Sequence, residues 1–327
     1  MNKVLITTVP FAHNDRTPLD LLESNGIAYT INPLNKKLTE DELLELVSDV
    51  DVIVAGTEKI TDKVMAKAKS LKMISRVGIG LDSVDLLSAK KRGIVVSYTP
   101  DAPAPAVAEL TIGLMLALLR SIYVSNSEMH VGEWTRHFGR RLSEVTIGII
   151  GCGRIGSRVM KHLHGFGNPK IMVNDRRVKF EGDSTFNVEW AEKEEIYRCC
   201  DIVTIHLPLT VKTKNMIRKH HLLSMKPDAI IINSARGGII NESDLYQVLQ
   251  SGHLGGAAID VFDLEPYSGD LNKIERCLLT AHMGSMSVDC RSKMEIQATE
   301  EAVRFLTGKP LEGLVPEEEY IVQRQGL

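Results

Sequence analysis

Short β-branched runs and helical patterns take turns along almost the whole chain, and this alternation limits the possible folds more than any other feature. Runs at 4–9, 29–31, 52–55, 73–77 and 94–98 are separated by helical stretches around 19–22, 43–47 and 64–68. Strands joined by helices through short connections are βαβ units, and βαβ units build parallel sheets. A second series at 145–150, 171–175, 202–206, 229–233, 256–260 and 278–281 predicts a second sheet of the same kind. Between the two series, TPDAPAP at 99–105 breaks both periods, and Asp101 can cap the next helix, so a hinge is expected there. The apolar stretch 106–119 predicts a long helix buried nearly all round, as a helix wedged between two domains would be. Residues 287–306 have helical period and stop at Gly308 and Pro310, so the end of the chain is expected to pack back on the first domain. A length of 327 residues suits two cores. The fold class expected is α/β with two doubly wound parallel-sheet domains, 1–99 with 288–327 and 100–287.

Composition narrows the partners. A formal charge of −3 with 25% charged and 43% apolar residues gives no electrostatic reason to bind nucleic acid or a membrane surface. The start, MNKVLITTVPF, is too short in its apolar part for a signal peptide, and no apolar run reaches the roughly 20 residues of a spanning helix, so a cytoplasmic location is expected. Five cysteines without CxxC spacing suggest neither a disulfide framework nor a metal site.

Gly151-Cys152-Gly153-Arg154-Ile155-Gly156 follows the strand EVTIGII and precedes a helical pattern, with a second strand and Asp175 about twenty residues on. In that context the motif reads as a dinucleotide fingerprint. Gly151 permits the tight turn, Gly153 the approach of a pyrophosphate and Gly156 the contact of helix with sheet. The helix N-terminus offers N–H groups to the phosphates. Asp175 would accept from the adenosine ribose hydroxyls, which favours NAD, although Arg176 and Arg177 could accommodate a 2′-phosphate.

Three later segments lie at strand ends, where ligands of open α/β sheets bind: IINSARGG with Arg236, AAIDVFDLEP with Asp260 and Glu265, and LLTAHMGS with His282. Oxidising a hydroxy acid needs a base for the hydroxyl proton, a cation for the carboxylate and carbonyl, and a hydride acceptor. Histidine titrates near neutrality, so His282 can take and give the proton, and Glu265 against its far nitrogen would fix the tautomer and stabilise the imidazolium. The fork of Arg236 suits a carboxylate and a neighbouring ketone oxygen.

Residues 151–156, HLPLT at 206–210, SARGG at 234–238, DVFDLEP at 260–266 and AHMGS at 281–285 resemble the successive signatures of the D-isomer-specific 2-hydroxyacid dehydrogenases, in flavour the phosphoglycerate dehydrogenase branch. The similarity runs from about 75 to 302. It implies a flavodoxin-like substrate domain made from both chain ends, a Rossmann NAD-binding domain in the middle, and an Arg236, Glu265, His282 catalytic set. It also implies that RVGIGLD presents the N–H groups of Val77, Gly78 and Ile79, beside Arg76, to the substrate carboxylate. Asp260 would hold the nicotinamide carboxamide. His206, Pro208, Thr213, Ala235 and Gly284, with Arg154, Ile155 and His282 itself, would line the cofactor. The family usually has Pro where this chain has Ala281, and Ile and Ala where it has Met283 and Ser285, so the pocket shape is expected to differ.

Between the long helix and the nucleotide strand lies a segment with Arg136, His137, Arg140 and Arg141. In relatives this region reaches toward a second subunit. The expectation is therefore a homodimer acting on a small anionic 2-hydroxy or 2-keto acid with an anionic distal group, such as 3-phosphoglycerate. With little chain beyond the last helix, no further regulatory domain is expected. Two other readings use the same fold: an NAD-sensing corepressor, against which the retained catalytic residue types argue, and a formate or phosphite dehydrogenase.

Overall fold

The computed structural model describes residues 2–176 and 187–324, and the chain divides into two compact units. Unit 1 comprises Met1–Pro103 and Met286–Leu327, and unit 2 comprises Ala104–Ser285.

Unit 1 alternates β1 (Lys3–Ile6), α1 (Thr17–Ser24), β2 (Ala28–Ile31), α2 (Glu40–Leu46), β3 (Val52–Ala55), α3 (Asp62–Lys67), β4 (Met73–Arg76), α4 (Leu86–Lys91) and β5 (Val95–Tyr98). The strands pair in parallel in the order β2-β1-β3-β4-β5. Order reverses between β1 and β3, so the carboxyl ends of these two strands border the crevice where such sheets take ligands. Val52–Ala55 is buried on both faces, which requires helices on both sides and explains a continuous apolar run instead of alternation. Leu5, Ile53, Ile74 and Val96 lie in a core with residues of α2, α3 and α4. The other face is covered by α1 and the long helix of the chain's last section.

In unit 2 the expected hinge is shorter than its sequence suggests, because a helix starts inside it at Ala104 and Pro105 sits in the first turn, where a missing N–H does no harm. This helix, α5 (Ala104–Leu119), is buried along one side, with Pro105, Glu109 and Gly113 exposed on another, and α6 (Ile122–His130) follows after a bend of 64° with Ser121 left-handed at the break. No single helix among the described residues is long and apolar enough to cross a membrane. Then come β6 (Ile147–Ile150), α7 (Gly156–His164), β7 (Ile171–Asn174), β8 (Val188–Trp190), α8 (Lys193–Cys199), β9 (Ile202–Ile205), α9 (Lys219–Ser224), β10 (Ile230–Asn233), α10 (Glu242–Ser251), β11 (Gly256–Ile259) and β12 (Cys277–Leu279). The order β12-β11-β10-β9-β6-β7-β8 is that of a Rossmann sheet extended by one strand. Side chains alternate between two cores, Ile147 and Ile149 facing α5 and α7, and Ile150 facing the α8 side. Sequence periodicity misses β8, a half-buried strand of three residues. Arg177, weighed for 2′-phosphate binding, lies outside the described residues.

The chain then returns to unit 1 as α11 (Val288–Leu306), which packs on α1, β3, β4 and β5, and α12 (Glu317–Arg324), which packs on α4. Ser75 donates to Ala298 O at 2.7 Å and Ser97 to Ser75 at 3.1 Å, so the buried hydroxyls under α11 are satisfied.

Candidate active site

Three neighbouring strands at one edge of the unit 2 sheet, β10, β11 and β12, release Arg236, Glu265 and His282 from their carboxyl ends. The loops carrying the first two fit together closely. A Cβ on Gly237 would lie 2.0 Å from Phe262 O, and one on Gly238, at φ +76°, would lie 2.7 Å from Asp263 Oδ1. The paired glycines of SARGG therefore let the Arg236 turn press against the Glu265 turn.

His282 Nδ1 lies 2.9 Å from Glu265 Oε2 and 3.1 Å from Oε1, and Oε1 also accepts from Phe262 N at 3.1 Å. A carboxylate on Nδ1 keeps the proton on that nitrogen and leaves Nε2 for exchange. The half-buried Arg236 donates from Nη1 to Ala235 O at 2.6 Å. Its turn is shaped by buried Asn233, which accepts from Ala235 N at 3.1 Å and donates to Arg236 O at 2.8 Å.

Asp260 has a task the sequence did not suggest. It is 1% exposed, accepts from Thr280 Oγ1 at 2.6 Å and Met283 N at 2.7 Å on one oxygen, and from Gly284 N at 2.9 Å on the other. Its carbonyl oxygen takes His282 N at 2.9 Å. Burial pushes its carboxyl up from the ordinary range, and these hydrogen bonds and nearby His282 pull against the rise. This clamp holds His282 in a left-handed conformation, φ +52°, uncommon for a residue with a Cβ. Asp260 therefore ties down the histidine loop, and Gly284 belongs to the same clamp.

The glycine loop lies at the reversal point, between β6 and β9. Gly151, at φ +97°, has His206 O within 2.5 Å of a would-be Cβ, and Gly156 has Gly151 O within 2.0 Å. Gly153 is the opposite case, since nothing lies within 4 Å of where its Cβ would stand. Asp175 closes the loop by accepting from Cys152 N at 2.7 Å. Arg158 donates to Arg154 O at 2.7 Å as α7 begins, and Ile155 is its N-cap residue. At the end of β9, His206 Nε2 meets Thr204 Oγ1 at 3.0 Å, whereas Nδ1 is buried without a partner among the described residues. Thr213 donates to Pro208 O and accepts from Thr210 N, both at 2.7 Å, folding the loop after HLPLT into a turn. Open space at Gly153, a nine-residue helix starting beside it, an acid at the end of β7 and an orphaned His206 nitrogen are what a bound dinucleotide needs, so the residues fit NAD.

In unit 1 the expected carboxylate loop needs correction. Val77 N already donates to Ala55 O at 2.9 Å and Gly78 N to Thr99 Oγ1 at 2.8 Å, because the β3–β4 ladder and the start of the 99–103 segment continue into the turn. Ile79 and the next residue, Gly80, have N–H groups without a partner among the described residues. Arg76 is buried beneath the turn, with Nη1 on Ala55 O and Val77 O, and thus props the loop. The basic segment of unit 2 is also largely engaged: His137 meets Glu128, Arg140 meets Asp201 and Arg141 meets Glu144.

A glycine loop with an open phosphate face, on a sheet of this order, defines a Rossmann-type dinucleotide-binding protein. The sequence pattern of the D-isomer specific 2-hydroxyacid dehydrogenase NAD binding domain matches residues 112–284, and the chain belongs to that family, whose members are NAD-dependent oxidoreductases. It is 38% identical over 284 residues to the D-3-phosphoglycerate dehydrogenase of Methanocaldococcus jannaschii, covering 85% of this chain and 54% of that one. It is 34% identical over 279 residues to the hydroxypyruvate reductase of Thermotoga maritima, covering 83% and 90%. The chain thus spans about half the length of the phosphoglycerate dehydrogenase it matches. Among solved structures, the NAD-dependent formate dehydrogenase of Staphylococcus aureus in complex with NAD is similar with a TM-score of 0.85 at 27% identity, over 96% of this chain and 99% of that one.

Proposed function

We propose that this protein moves a hydride between NAD and C2 of a small D-2-hydroxy or 2-keto acid, with His282 exchanging the proton. The observation that carries this reading is the Glu265–His282 pair at 2.9 Å on a loop clamped by Asp260. Bound NAD supplies the hydride acceptor or donor at its nicotinamide ring. Nε2 of His282 gives a proton to the ketone oxygen during reduction and takes it back during oxidation, while Glu265 stabilises the charged ring. Arg236 polarises the carbonyl; within unit 1, the open Ile79 and Gly80 N–H groups suit a carboxylate. As a stretch of sequence, the basic 136–141 segment favours a phosphorylated substrate such as 3-phosphoglycerate. His137, Arg140 and Arg141 meet acids of their own unit, which removes most of that support.

The test is His282→Ala. Its kcat should fall by roughly 10²–10⁴ with the Kd for NADH unchanged. Normal turnover by the variant would discard the assignment. Unchanged NADH binding with no reduction of any 2-keto acid by the wild-type protein would favour a sensor. We also propose a homodimer, supported by the exposed apolar side chains of Val131, Trp134 and Phe138 after α6. Sedimentation as a monomer at micromolar concentration would remove that part.

A further inference from the structure

Behind the Glu265–His282 pair, within unit 2, stands a second carboxylate. Glu242 opens α10 and is half-buried. An acid in the first turn of a helix usually favours the dipole and needs no partner outside. The cap of this helix is already made by Asn241, which accepts from Asp244 N at 2.9 Å. Glu242 reaches out instead, and its Oε1 accepts from Asp263 N at 2.7 Å. On the residue before, Phe262 N donates to Glu265 Oε1 at 3.1 Å. Carboxylates bonded to consecutive N–H groups lie within roughly 10 Å of each other, since consecutive backbone nitrogens are only one residue's reach apart. The segment from Arg236 to Glu242 therefore grips the Glu265 turn twice: Gly237 and Gly238 press on Phe262 O and Asp263, and Glu242 holds Asp263 N.

The charged and titratable groups around Glu242 are Asp263 and Glu265 from that turn and Tyr267 just beyond it, with His282 behind Glu265. Toward α9, Asp244 accepts from Lys219 N at 2.9 Å, and Lys219 Nζ lies on Gln247 at 2.8 Å. No cation pairs with Glu242 among the described residues. Burial pushes its carboxyl up from the ordinary range, the Asp263 N–H pulls it down, and the charges of Asp263 and Glu265 add to the rise. Two carboxylates on one side of an imidazole stabilise its charged form more than one does. Resting on the dehydrogenase reading above, we propose that Glu242 is a positioning residue for that reaction. It holds the Glu265 turn through Asp263 N, and its negative charge, added to that of Glu265, widens the pH range over which His282 keeps its proton. Reduction needs the imidazolium and is lost as pH rises and the ring deprotonates. A charge that favours the imidazolium moves this loss to higher pH, and removing the charge moves it to lower pH.

The experiment records kcat/KM for hydroxypyruvate with NADH against pH, for the full-length wild type and three variants of residue 242. Glu242→Gln keeps an acceptor for Asp263 N and drops the charge, so its alkaline limb should lie about half a pH unit or more below that of wild type. Glu242→Asp keeps the charge on a shorter stem, so its limb should stay within about 0.2 unit of wild type while the plateau falls. Glu242→Ala loses both contributions and should combine the displaced limb with a plateau about tenfold lower. Arg236 stays charged throughout and cancels between variants. Thermal melting checks folding, and Glu242→Ala carries the charge test if Glu242→Gln does not fold. The NMR titration midpoint of the His282 ring proton, identified by its absence from His282→Gln, should move with the limb and is read without turnover. A midpoint unchanged by loss of the charge would overturn this proposal, as would an active variant lacking the charge whose limb stays in place, or a Glu242→Asp limb displaced as far as that of Glu242→Gln. A midpoint that moves in a protein reducing no keto acid would sustain the coupling of Glu242 to His282 and strike the dehydrogenase reading alone.

Discussion

Where each sheet reverses its strand order, unit 2 presents donors and unit 1 presents an acceptor. Both sheets are parallel, doubly wound and apolar on both faces, and both have glycine at the turn after a strand bordering the reversal point. In unit 2, Gly153 borders empty space at the start of α7, whose N-terminal dipole favours an anion. In unit 1, Gly56 is packed under Glu58 and Thr8, and its own N–H is turned inward to the carboxylate. One topology thus serves opposite charges, and a few loop residues decide which. Fold alone does not give ligand chemistry.

This contrast is most easily undone at the glycines of the unit 2 loop. Gly156→Ala places a methyl carbon 2.0 Å from Gly151 O and 3.2 Å from Ile149 Cγ2, a backbone clash that no rotamer relieves. It should destabilise the protein by at least about 3 kcal/mol in chemical denaturation. Gly153→Ala meets nothing within 4 Å and should leave stability within about 0.5 kcal/mol, yet weaken NADH about tenfold or more, because the added methyl stands where the pyrophosphate approaches. NADH binding at wild-type strength by Gly153→Ala would mean that the open face is not the phosphate site, and the donor half of the contrast would go.

Much of this was legible in the sequence because it depends on local pattern. The strand–glycine–helix run at 147–164 fixes the loop, and the three strand ends carrying Arg236, Glu265 and His282 follow from β-branched runs that only a two-sided sheet can bury. What escaped has a different physical origin. Asn233 and Asp260 act through hydrogen bonds to main-chain atoms, one within its own turn and the other across to the loop after the next strand, and residue type does not disclose that. Of the three N–H groups expected at the carboxylate loop, Val77 is taken by a bond that continues the β3–β4 ladder and Gly78 by the Thr99 hydroxyl, and only three-dimensional pairing reveals either. Glu58, inside an otherwise ordinary GTEKIT stretch, becomes noticeable only once β1 and β3 are known to border the crevice. The lone signal for it was a carboxylate shortly after a four-residue apolar strand.

A smaller effect tests the same contrast from the unit 2 side. His206 ends β9 at the reversal point, its N–H on Ile150 O at 2.8 Å, with Nδ1 buried and unpartnered among the described residues. Burial pushes the imidazole down to about 3, against about 6.5 for a histidine in an unfolded chain. Between those values the unfolded chain binds the extra proton, so the contribution is fully present above the unfolded value and is lost as pH falls below it. From pH 7 to pH 5 the loss should be at most about 2 kcal/mol. His206→Gln has no such proton to bind, so its urea midpoint should fall less than that of the wild type over the same interval. Equal falls would mean that the folded ring is already hydrated and charged near neutrality. The reversal point of unit 2 would then owe its positive character to a titrating side chain, and the backbone N–H groups of the glycine loop would no longer suffice to explain why this reversal point, and not that of unit 1, takes the anion.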